Sequence, residues 1–267
     1  DYARGTLGLQ ALVAIGGDGT MTIAQRLAAA GGVPIVGVPK TIDNDIMGCE
    51  RSFGFDTAVA TVTDALERVQ TTGQSHGRVM IVETMGRYAG WIALEAGLAG
   101  AADVILLPEI GYDVARVAEV CRERSARRRA TLICIAEGAK PVGGAMTVAH
   151  TVEGSPDPIR LGGVAHALRA QLQPLLACEV RATVLGHVQR GGSPTPFDRV
   201  LATQYGNEAA RLLRRGDFGR MVTLQGGCLG SVGLDEVAGL NRCVPLEHAL
   251  LGCAREIGVC LGDEDLP

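Results

Sequence analysis

Short apolar runs alternate along this chain with longer stretches of helical periodicity, and this alternation is the feature that most constrains the fold. Predicted strands lie at 9–15, 34–38, 78–82, 104–107, 131–136 and 180–185. Predicted helices lie at 21–30, 56–69, 114–128 and 198–215, and 140–158 is predicted as loop. Strands that alternate with helices indicate parallel sheets covered by helices on both faces.

The composition excludes several classes of partner. The 267 residues are enough for one large or two ordinary domains, and 47% hydrophobic with 20% charged residues is typical of a globular protein. Aromatic residues make up only 3%, and the net charge is −4, so we expect neither nucleic acid nor a membrane as a partner. An anionic substrate would have to be held by local arginines.

The eight cysteines are scattered and form no Cys-x-x-Cys pair, so the sequence indicates neither a zinc site nor a redox motif. Free thiols are typical of a reducing compartment. The sequence contains no signal-peptide pattern and no apolar run long enough to cross a bilayer. We therefore expect a cytoplasmic protein.

A glycine-rich loop, Gly-Gly-Asp-Gly-Thr at 16–20, joins the first predicted strand to the first predicted helix. Glycines allow backbone amides to approach an anion closely, and a helix N-terminus favours negative charge. Asp18 is a candidate ligand for Mg2+, which prefers a carboxylate and water molecules. The loop is therefore a candidate phosphate cradle.

Two carboxylates, Asp43 and Asp45, follow the second predicted strand, with Lys40 and Thr41 just before them. Open α/β sheets bind their ligands beyond the carboxyl ends of their strands. A carboxylate at this place can accept a proton from an alcohol, and a second can hold a metal or a sugar hydroxyl. The alternative is an Asx-rich turn in which these side chains satisfy the loop backbone.

Polar residues follow three further predicted strands, which favours a crevice at the carboxyl ends of the strands. Each alone has a structural alternative: a solvated helix start for Arg87, a helix cap for Glu137 and a core position for His187. An arginine suits phosphate because its planar group donates two hydrogen bonds at once. These candidate residues are Met85, Gly86, Arg87, Glu137, His187 and Arg190.

Four motifs together resemble the 6-phosphofructokinase family, in the family's order and over nearly the whole chain. They are Gly-Gly-Asp-Gly-Thr at 16–20, Pro-Lys-Thr-Ile-Asp-Asn-Asp at 39–45, Met-Gly-Arg-Tyr-Ala-Gly at 85–90 and Leu-Gly-His-Val-Gln-Arg-Gly-Gly-Ser at 185–193. The resemblance implies two similar parallel-sheet α/β subdomains with the active site in the cleft between them. It implies a nucleotide-binding subdomain at 1–54 plus 189–239 and a sugar-phosphate-binding subdomain at 55–188 plus 240–267.

The resemblance also implies a reaction, the transfer of a phosphoryl group from Mg-ATP to the 1-hydroxyl of fructose 6-phosphate in glycolysis. Asp43 matches the general base, and Thr41 and Arg87 match further catalytic groups. Arg190 matches an arginine that grips the existing phosphate. The nucleotide phosphates would contact Gly17, Asp18, Gly19 and Thr20, with Asp18 binding Mg2+. The sugar or its transferring phosphoryl would contact Thr41, Ile42, Asp45, Met85, Gly86, Glu137, His187, Val188 and Gln189.

Arg78 and Arg181 match arginines that reach the sugar phosphate from a neighbouring subunit, so the resemblance implies a homodimer or homotetramer with shared sites. The donor signature is mixed. Gly19 is typical of family members that use ATP, because it leaves room for the α-phosphate of a nucleotide. Lys40 is typical of members that use pyrophosphate. A side chain excludes a ligand more firmly than a mobile cation attracts one, so we expect ATP as the donor.

The family begins with a glycine-rich strand–loop–helix and an arginine-bearing nucleotide loop ahead of the position of Asp1, and we expect this part of the donor site to be absent from the chain. Two further alternatives remain open. A lipid or NAD kinase shares the glycine loop but does not account for Asp43 and Asp45. A sugar-phosphate-binding homologue without turnover would keep the fold.

Overall fold

The structure is a computed structural model that describes residues 5–151 and 159–263. The chain divides into two compact units. The first comprises Asp1–Thr57 and Ser193–Arg242, and the second comprises Ala58–Gly192 and Cys243–Pro267.

The described elements alternate between strand and helix over most of the chain, as the sequence predicts. In chain order they are β1 Leu12–Gly16, α1 Asp18–Ala29, β2 Ile35–Thr41, β3 Phe53–Gly54, α2 Phe55–His76, β4 Val79–Thr84, α3 Trp91–Ala99, β5 Val104–Leu106, α4 Val114–Ala126, β6 Thr131–Ala136, β7 Val148–Thr151, β8 Ile159–Leu161, α5 Val164–Leu172, β9 Val180–Val184, α6 Pro196–Arg215, β10 Arg220–Gln225, β11 Cys228–Gly233, α7 Leu234–Val237 and α8 Ala249–Glu256. Short 3-10 helices occupy Gln173–Leu175 and Gly186–Arg190.

The first unit is built on a sheet with the strand order β1-β2-β10-β11. β1, β2 and β10 run parallel, β11 returns antiparallel, and β3 pairs in parallel with the end of β2. Helices α1 and α6 bury Met21 and Tyr205 in the core of this unit. Packing is tight at Gly37 on β2, because a Cβ there would lie 2.8 Å from the Met21 sulfur and this neighbour would have to shift.

The second unit is built on a fully parallel sheet with the order β5-β6-β4-β9. Every residue of β4 and of β6 is buried, as expected for central strands of a sheet that helices cover on both faces. On one face, Ile81 and Ile133 pack in a core with α4 and α5. On the other, Met80 packs against α2 and Ile105 against α3. The predicted α/β architecture with parallel sheets is confirmed.

Helix α2 is longer than the predicted helix at 56–69, because the predicted break at Thr72-Gly73 does not occur. Gly73 lies within the helix and is buried against β4, where a Cβ would lie 2.8 Å from Met80 Cγ. A glycine that usually interrupts a helix is here required by close packing of the helix on the sheet.

Two other local predictions are wrong. We predict Asp198 as the N-cap of α6, but the helix begins at Pro196 and the cap is Thr195, whose side chain accepts from the Asp198 backbone N–H. The predicted loop at 140–158 contains the strand β7, which pairs antiparallel with β8. Residues 152–158 of that loop lie outside the described residues. Within the described ranges, no helix is both long and apolar enough to span a membrane.

Candidate active site

Two loops of the first unit lie at the same edge of its sheet. They are the glycine loop at 16–20 and the loop that carries Asp43 and Asp45, called here the acidic loop. β1 and β2 are parallel neighbours in a register that pairs Gly16 with Pro39, so their carboxyl ends lie side by side. A Cβ placed on Gly17 would lie 3.6 Å from the Thr41 Cβ, which measures how closely the two loops approach. The two loops therefore lie close together at one edge of the first sheet.

The glycine loop leads directly into the N-terminus of α1. Gly17 is the N-cap, it makes no side-chain capping bond, and Asp18 is the first residue of a 12-residue helix. The first backbone N–H groups of a helix point out of its N-terminal end, where an anion can bind. Gly16 is sterically required, since a Cβ would lie 2.2 Å from the Thr20 hydroxyl oxygen, whereas a Cβ on Gly19 would meet open space.

Thr41 and Asn44 hold the backbone of the acidic loop. The Thr41 hydroxyl accepts the Asp43 N–H at 3.1 Å. Asn44 is buried with a left-handed backbone (φ 53°), which asparagine tolerates better than most residues. Its side chain accepts the Ser52 N–H at 2.9 Å and donates to the Glu50 carbonyl at 3.1 Å. Asn44, the residue between the two carboxylates, therefore satisfies loop backbone six and eight residues further along, and these bonds are not those of a local Asx-turn.

The Asp45 carboxyl group is poorly solvated. Its Oδ1 atom is buried and has no hydrogen-bond partner within the described part of the chain. Burial, followed by the negative charges of Asp43 and Asp18, raises the pKa of Asp45 from an ordinary 3.8 to about 7. Three acidic side chains therefore share this edge of the first sheet. Of the other predicted residues here, Lys40 is exposed and Ile42 is half-buried.

The donor set at this edge fits Mg2+. Asp18 is an exposed carboxylate in the glycine loop, and its charge and that of Asp43 disfavour ionisation of the Asp45 carboxyl group. A divalent cation would relieve that repulsion, and Mg2+ commonly takes one or two carboxylates together with water and substrate phosphate. Among the described residues, no group of three or more His, Cys, Asp or Glu side chains could hold a metal ion, so water and substrate phosphate would have to supply most of the ligands.

In the second unit, backbone and side-chain bonds hold the loop at 85–90 in place beyond the carboxyl end of β4. The buried Gln189 side chain accepts the Met85 N–H at 3.1 Å and donates to the Gly186 carbonyl at 3.1 Å. Gly86 has a positive φ of 128°, and its carbonyl accepts the Gly138 N–H at 3.2 Å. A Cβ on Gly138 would lie 1.9 Å from the Arg87 carbonyl oxygen, so that position requires glycine.

The same edge of the second sheet carries most of the other predicted residues of this unit. Arg87 is half-buried, and its guanidinium lies 5.1 Å from the ring centre of Tyr88. Glu137 is half-buried directly after β6. His187, Val188 and Arg190 are exposed on the 3-10 helix that follows β9.

Arg78 and Arg181 lie elsewhere. Arg78 precedes β4, whereas the loop at 85–90 that carries Arg87, called here the Arg87 loop, follows it. The six residues of β4 separate Arg78 from this loop by roughly 20 Å. Both arginines bind the Glu179 carboxylate, Arg78 through Nε at 2.5 Å and Arg181 through a terminal nitrogen at 2.5 Å. The structure therefore brings these two residues together, but not to the edge that carries Arg87.

A pocket of about 390 Å3 lies at the start of β6 and contains none of the motif residues. Its lining includes Arg124, Arg128 and Arg129 from the basic run at 122–129. Most of this run is exposed, but Arg124 binds Asp103 at 2.7 Å. The helix face is therefore largely solvated, with one arginine committed to an internal ion pair.

Comparison with protein families identifies the chain, since the phosphofructokinase family model matches residues 4–213. This chain belongs to the phosphofructokinase family. It is 51% identical over 260 residues to the ATP-dependent 6-phosphofructokinase of Chloroflexus aurantiacus, covering 97% of this chain and 70% of that one. It is 46% identical over 256 residues to the pyrophosphate–fructose 6-phosphate 1-phosphotransferase of Streptomyces coelicolor, covering 96% of this chain and 73% of that one.

Solved phosphofructokinases share the fold. The phosphofructokinase of Saccharomyces cerevisiae superimposes with a TM-score of 0.72 at 29% identity, over 86% of this chain and 33% of that one. In this phosphofructokinase fold, three residues to which the sequence analysis assigned no role support the predicted site. Asn44, Ser52 and Glu179 hold predicted residues or their loops in place. Only the asparagine between two aspartates carried a local signal, its tolerance of a left-handed backbone.

Proposed function

We propose that this protein transfers the terminal phosphoryl group of ATP to the 1-hydroxyl of fructose 6-phosphate, forming fructose 1,6-bisphosphate in glycolysis. The observation that carries the proposal is the convergence of the glycine cradle and the Asp43 loop at one sheet edge. The names of the relatives at 46–51% identity support the acceptor, because an ATP-dependent and a pyrophosphate-dependent enzyme among them both phosphorylate fructose 6-phosphate.

Asp43 is the proposed general base. Phosphoryl transfer requires little covalent chemistry from the protein, so a base that accepts the hydroxyl proton and groups that position and neutralise charge are sufficient. The resemblance assigns the proton acceptor to Asp43 and a sugar contact to Asp45. The buried Oδ1 atom of Asp45, which has no hydrogen-bond partner among the described residues, supports a role in holding a sugar hydroxyl.

Mg2+ is the proposed metal, held by Asp18 and by the phosphates. When bound, it would neutralise charge on the transferring phosphoryl group. The protein's own contribution on the donor side is the N-terminus of α1 with Gly17, Gly19 and Thr20, which would orient the phosphates.

In the second unit, Arg87 is proposed to neutralise charge on the transferring phosphoryl group, and Arg190 to bind the 6-phosphate. Met85, Gly86, Glu137, His187 and Val188 are proposed sugar contacts. For Gln189, its burial and its two bonds to backbone support a role in fixing the loop that carries Met85 rather than a side-chain contact with substrate.

A homo-oligomer with shared sites is part of the proposal. The position of Arg78 and Arg181 at the opposite end of β4 from Arg87 supports it, because there they are remote from the Arg87 loop of the same sheet. In this arrangement both arginines serve a sugar phosphate bound by the neighbouring copy. A cytoplasmic location also belongs to the proposal.

ATP is the proposed donor, with pyrophosphate as the alternative that Lys40 favours. Gly19 supports ATP because the space around its Cα is open. Steady-state kinetics of the purified protein with fructose 6-phosphate and Mg2+ test the proposal, with ATP and pyrophosphate as separate donors. A higher kcat/KM with pyrophosphate would overturn the donor assignment. Binding of fructose 6-phosphate without turnover on either donor would instead favour a non-catalytic homologue.

A further inference from the structure

Helix α3 begins directly after the Arg87 loop and has no cap within its own sequence. Its N-cap residue, Gly90, makes no side-chain capping bond, and its first turn contains no acidic residue. The N-terminus of a helix carries partial positive charge and backbone N–H groups that need acceptors. A buried helix start of this kind requires an acceptor from another part of the chain.

Glu109 supplies that acceptor from 19 residues further along, just after β5. Its Oε1 atom accepts the Gly90 N–H at 3.0 Å and the Val244 N–H at 2.8 Å. Its Oε2 atom is buried and has no hydrogen-bond partner within residues 5–151 and 159–263. Burial raises the pKa of Glu109, and the bonds from Val244 and Gly90 oppose that rise. The Glu109 carboxyl group is therefore committed to two backbone groups.

The contact between Glu109 and Gly90 leaves no spare room. A Cβ on Gly90 would lie 2.9 Å from Glu109 Oε2 and 2.7 Å from a Leu107 methyl carbon. The backbone angles of Gly90 are ordinary (φ −86°), so close approach, and not backbone strain, is what requires glycine there.

The Arg87 loop is thus held at both ends. At its start, the Met85 N–H is bound by Gln189, and Gly138 lies against the Arg87 carbonyl. At its end, Glu109 binds Gly90, and the Cys243 thiol donates to the Tyr88 carbonyl at 3.3 Å. Arg87 lies between these two anchors.

We propose that Glu109 is a positioning residue for Arg87. By capping α3, Glu109 fixes the end of the loop that carries Arg87. The inference rests on the proposed function, in which Arg87 neutralises charge on the transferring phosphoryl group. Because a displacement of about 1 Å in a catalytic group can cost about 100-fold in rate, loss of this anchor acts on kcat more than on KM.

The first experiment compares Glu109→Ala with Glu109→Gln in the fructose 6-phosphate phosphorylation assay. The Gln side-chain carbonyl still accepts from Gly90 and Val244, so Glu109→Gln is expected to keep kcat within about threefold of wild type, whereas Glu109→Ala lowers kcat by roughly 10- to 100-fold with a smaller change in KM. The proposal is overturned by an Ala variant within twofold of wild type, or by a Gln variant as slow as the Ala variant.

A double-mutant cycle separates positioning from general loss of structure. In an Arg87→Ala background, Glu109→Ala is expected to cause little further loss, because the group it positions is gone. An undiminished fold-loss in that background overturns the proposal. The matched control is Asp113→Ala, which removes another carboxylate cap, that of α4, where Asp113 accepts the Ala115 N–H at 2.8 Å. This control is expected to keep the wild-type kcat.

Trp91 provides a readout that does not depend on turnover. It is the single tryptophan of the chain, follows Gly90 directly and is 2% exposed. Its emission is expected to shift to longer wavelength in Glu109→Ala but not in Glu109→Gln or Asp113→Ala, and an unchanged spectrum in all three overturns the anchoring. If the wild type shows no turnover, the proposed function fails while this comparison still tests the anchor. If Glu109→Ala does not fold, Gly90→Ala crowds the same contact, and a wild-type kcat in that variant counts against the proposal.

Discussion

The buried side chain of Asn44 accepts the backbone N–H of Ser52 at 2.9 Å, and this bond closes the loop that carries Asp43 and Asp45. Asn44 also occupies a left-handed backbone conformation and donates to the Glu50 carbonyl. An uncharged residue with no proposed substrate contact therefore holds the backbone of the loop that carries the two carboxylates.

Replacement of Asn44 tests this relationship. Asn44→Ala is expected to lower the free energy of unfolding by roughly 2–4 kcal/mol, since it leaves the backbone N–H of the buried Ser52 unpaired, removes the bond to the Glu50 carbonyl and places alanine at a positive φ without side-chain compensation. Asn44→Gly removes the bonds but relieves the backbone strain, so it should lose less. Urea unfolding measures both, with the exposed Asn207→Ala on α6 as control. Equal losses in the Ala and Gly variants would refute the role of the left-handed conformation.

Asp43→Asn tests the general base. Turnover is expected to fall by roughly 10²- to 10⁴-fold while fructose 6-phosphate binding stays largely intact, because general-base catalysis acts on the transition state. Steady-state kinetics and equilibrium binding measure the two effects separately. The exposed Asp217→Asn controls for the loss of one carboxylate charge. Turnover of Asp43→Asn within about twofold of wild type would rule out the assignment.

Asp45→Asn tests the electrostatic strain at the acidic edge. The pKa of Asp45 is raised from 3.8 to about 7, so the folded state binds this proton more tightly than the unfolded chain does. Binding of this proton therefore stabilises the folded state, fully below pH 3.8, and the stabilisation is lost as the pH rises through about 7. An asparagine stays neutral, so the variant should be more stable than wild type at pH 8, by at most roughly 4 kcal/mol.

Urea unfolding of Asp45→Asn at pH 5 and pH 8, without divalent cations, measures this effect. The stability difference between variant and wild type should grow with pH. A difference that is the same at both pH values would show that the carboxyl group is not strained in the folded protein. Activity should fall in the same variant, since Asp45 is a proposed sugar contact.

Gly19→Asp tests donor choice. A Cβ at this position would meet no protein atom within 4 Å, so the fold should tolerate the substitution and its effect should fall on the ligand. The added bulk and negative charge are expected to lower kcat/KM for ATP more than for pyrophosphate. Gly16→Ala is the contrasting variant, because its methyl group would collide with Thr20 and destabilise the fold. An equal loss with both donors would contradict the role of Gly19.

Subunit mixing tests the shared sites. Arg181→Ala and Asp43→Asn should each be inactive alone, but their mixed oligomers should regain activity, because one kind of mixed site receives Arg181 and Asp43 from different copies. Activity is measured after subunit exchange that is verified with distinguishable tags. A strictly monomeric active enzyme, or hybrids that stay inactive, would refute the assignment of Arg78 and Arg181 to a neighbouring site.

The sequence predicted the elements that depend on local pattern. Apolar runs marked the strands, and β6 matches its predicted range of 131–136. The sequence also placed the candidate residues after strand ends, where parallel sheets bind their ligands, and the neighbouring positions of β1 and β2 bring two of these loops together. Local pattern gave a wrong prediction where tertiary packing decides the structure. The sequence predicted a helix break at Gly73, but this glycine lies within α2 and lets the helix pack closely on Met80.

The sequence by itself determined the α/β class, the glycine loop between β1 and α1 and the residue types at the strand ends, since these depend on periodicity and on a few adjacent residues. Only the tertiary structure decided how those residues are held. Glu109 reaches Gly90 over 19 residues and Gln189 reaches Met85 over 104, while two arginines share Glu179. Such bonds connect segments that only the folded sheet brings together, and the desolvation that raises the pKa of Asp45 exists only after folding.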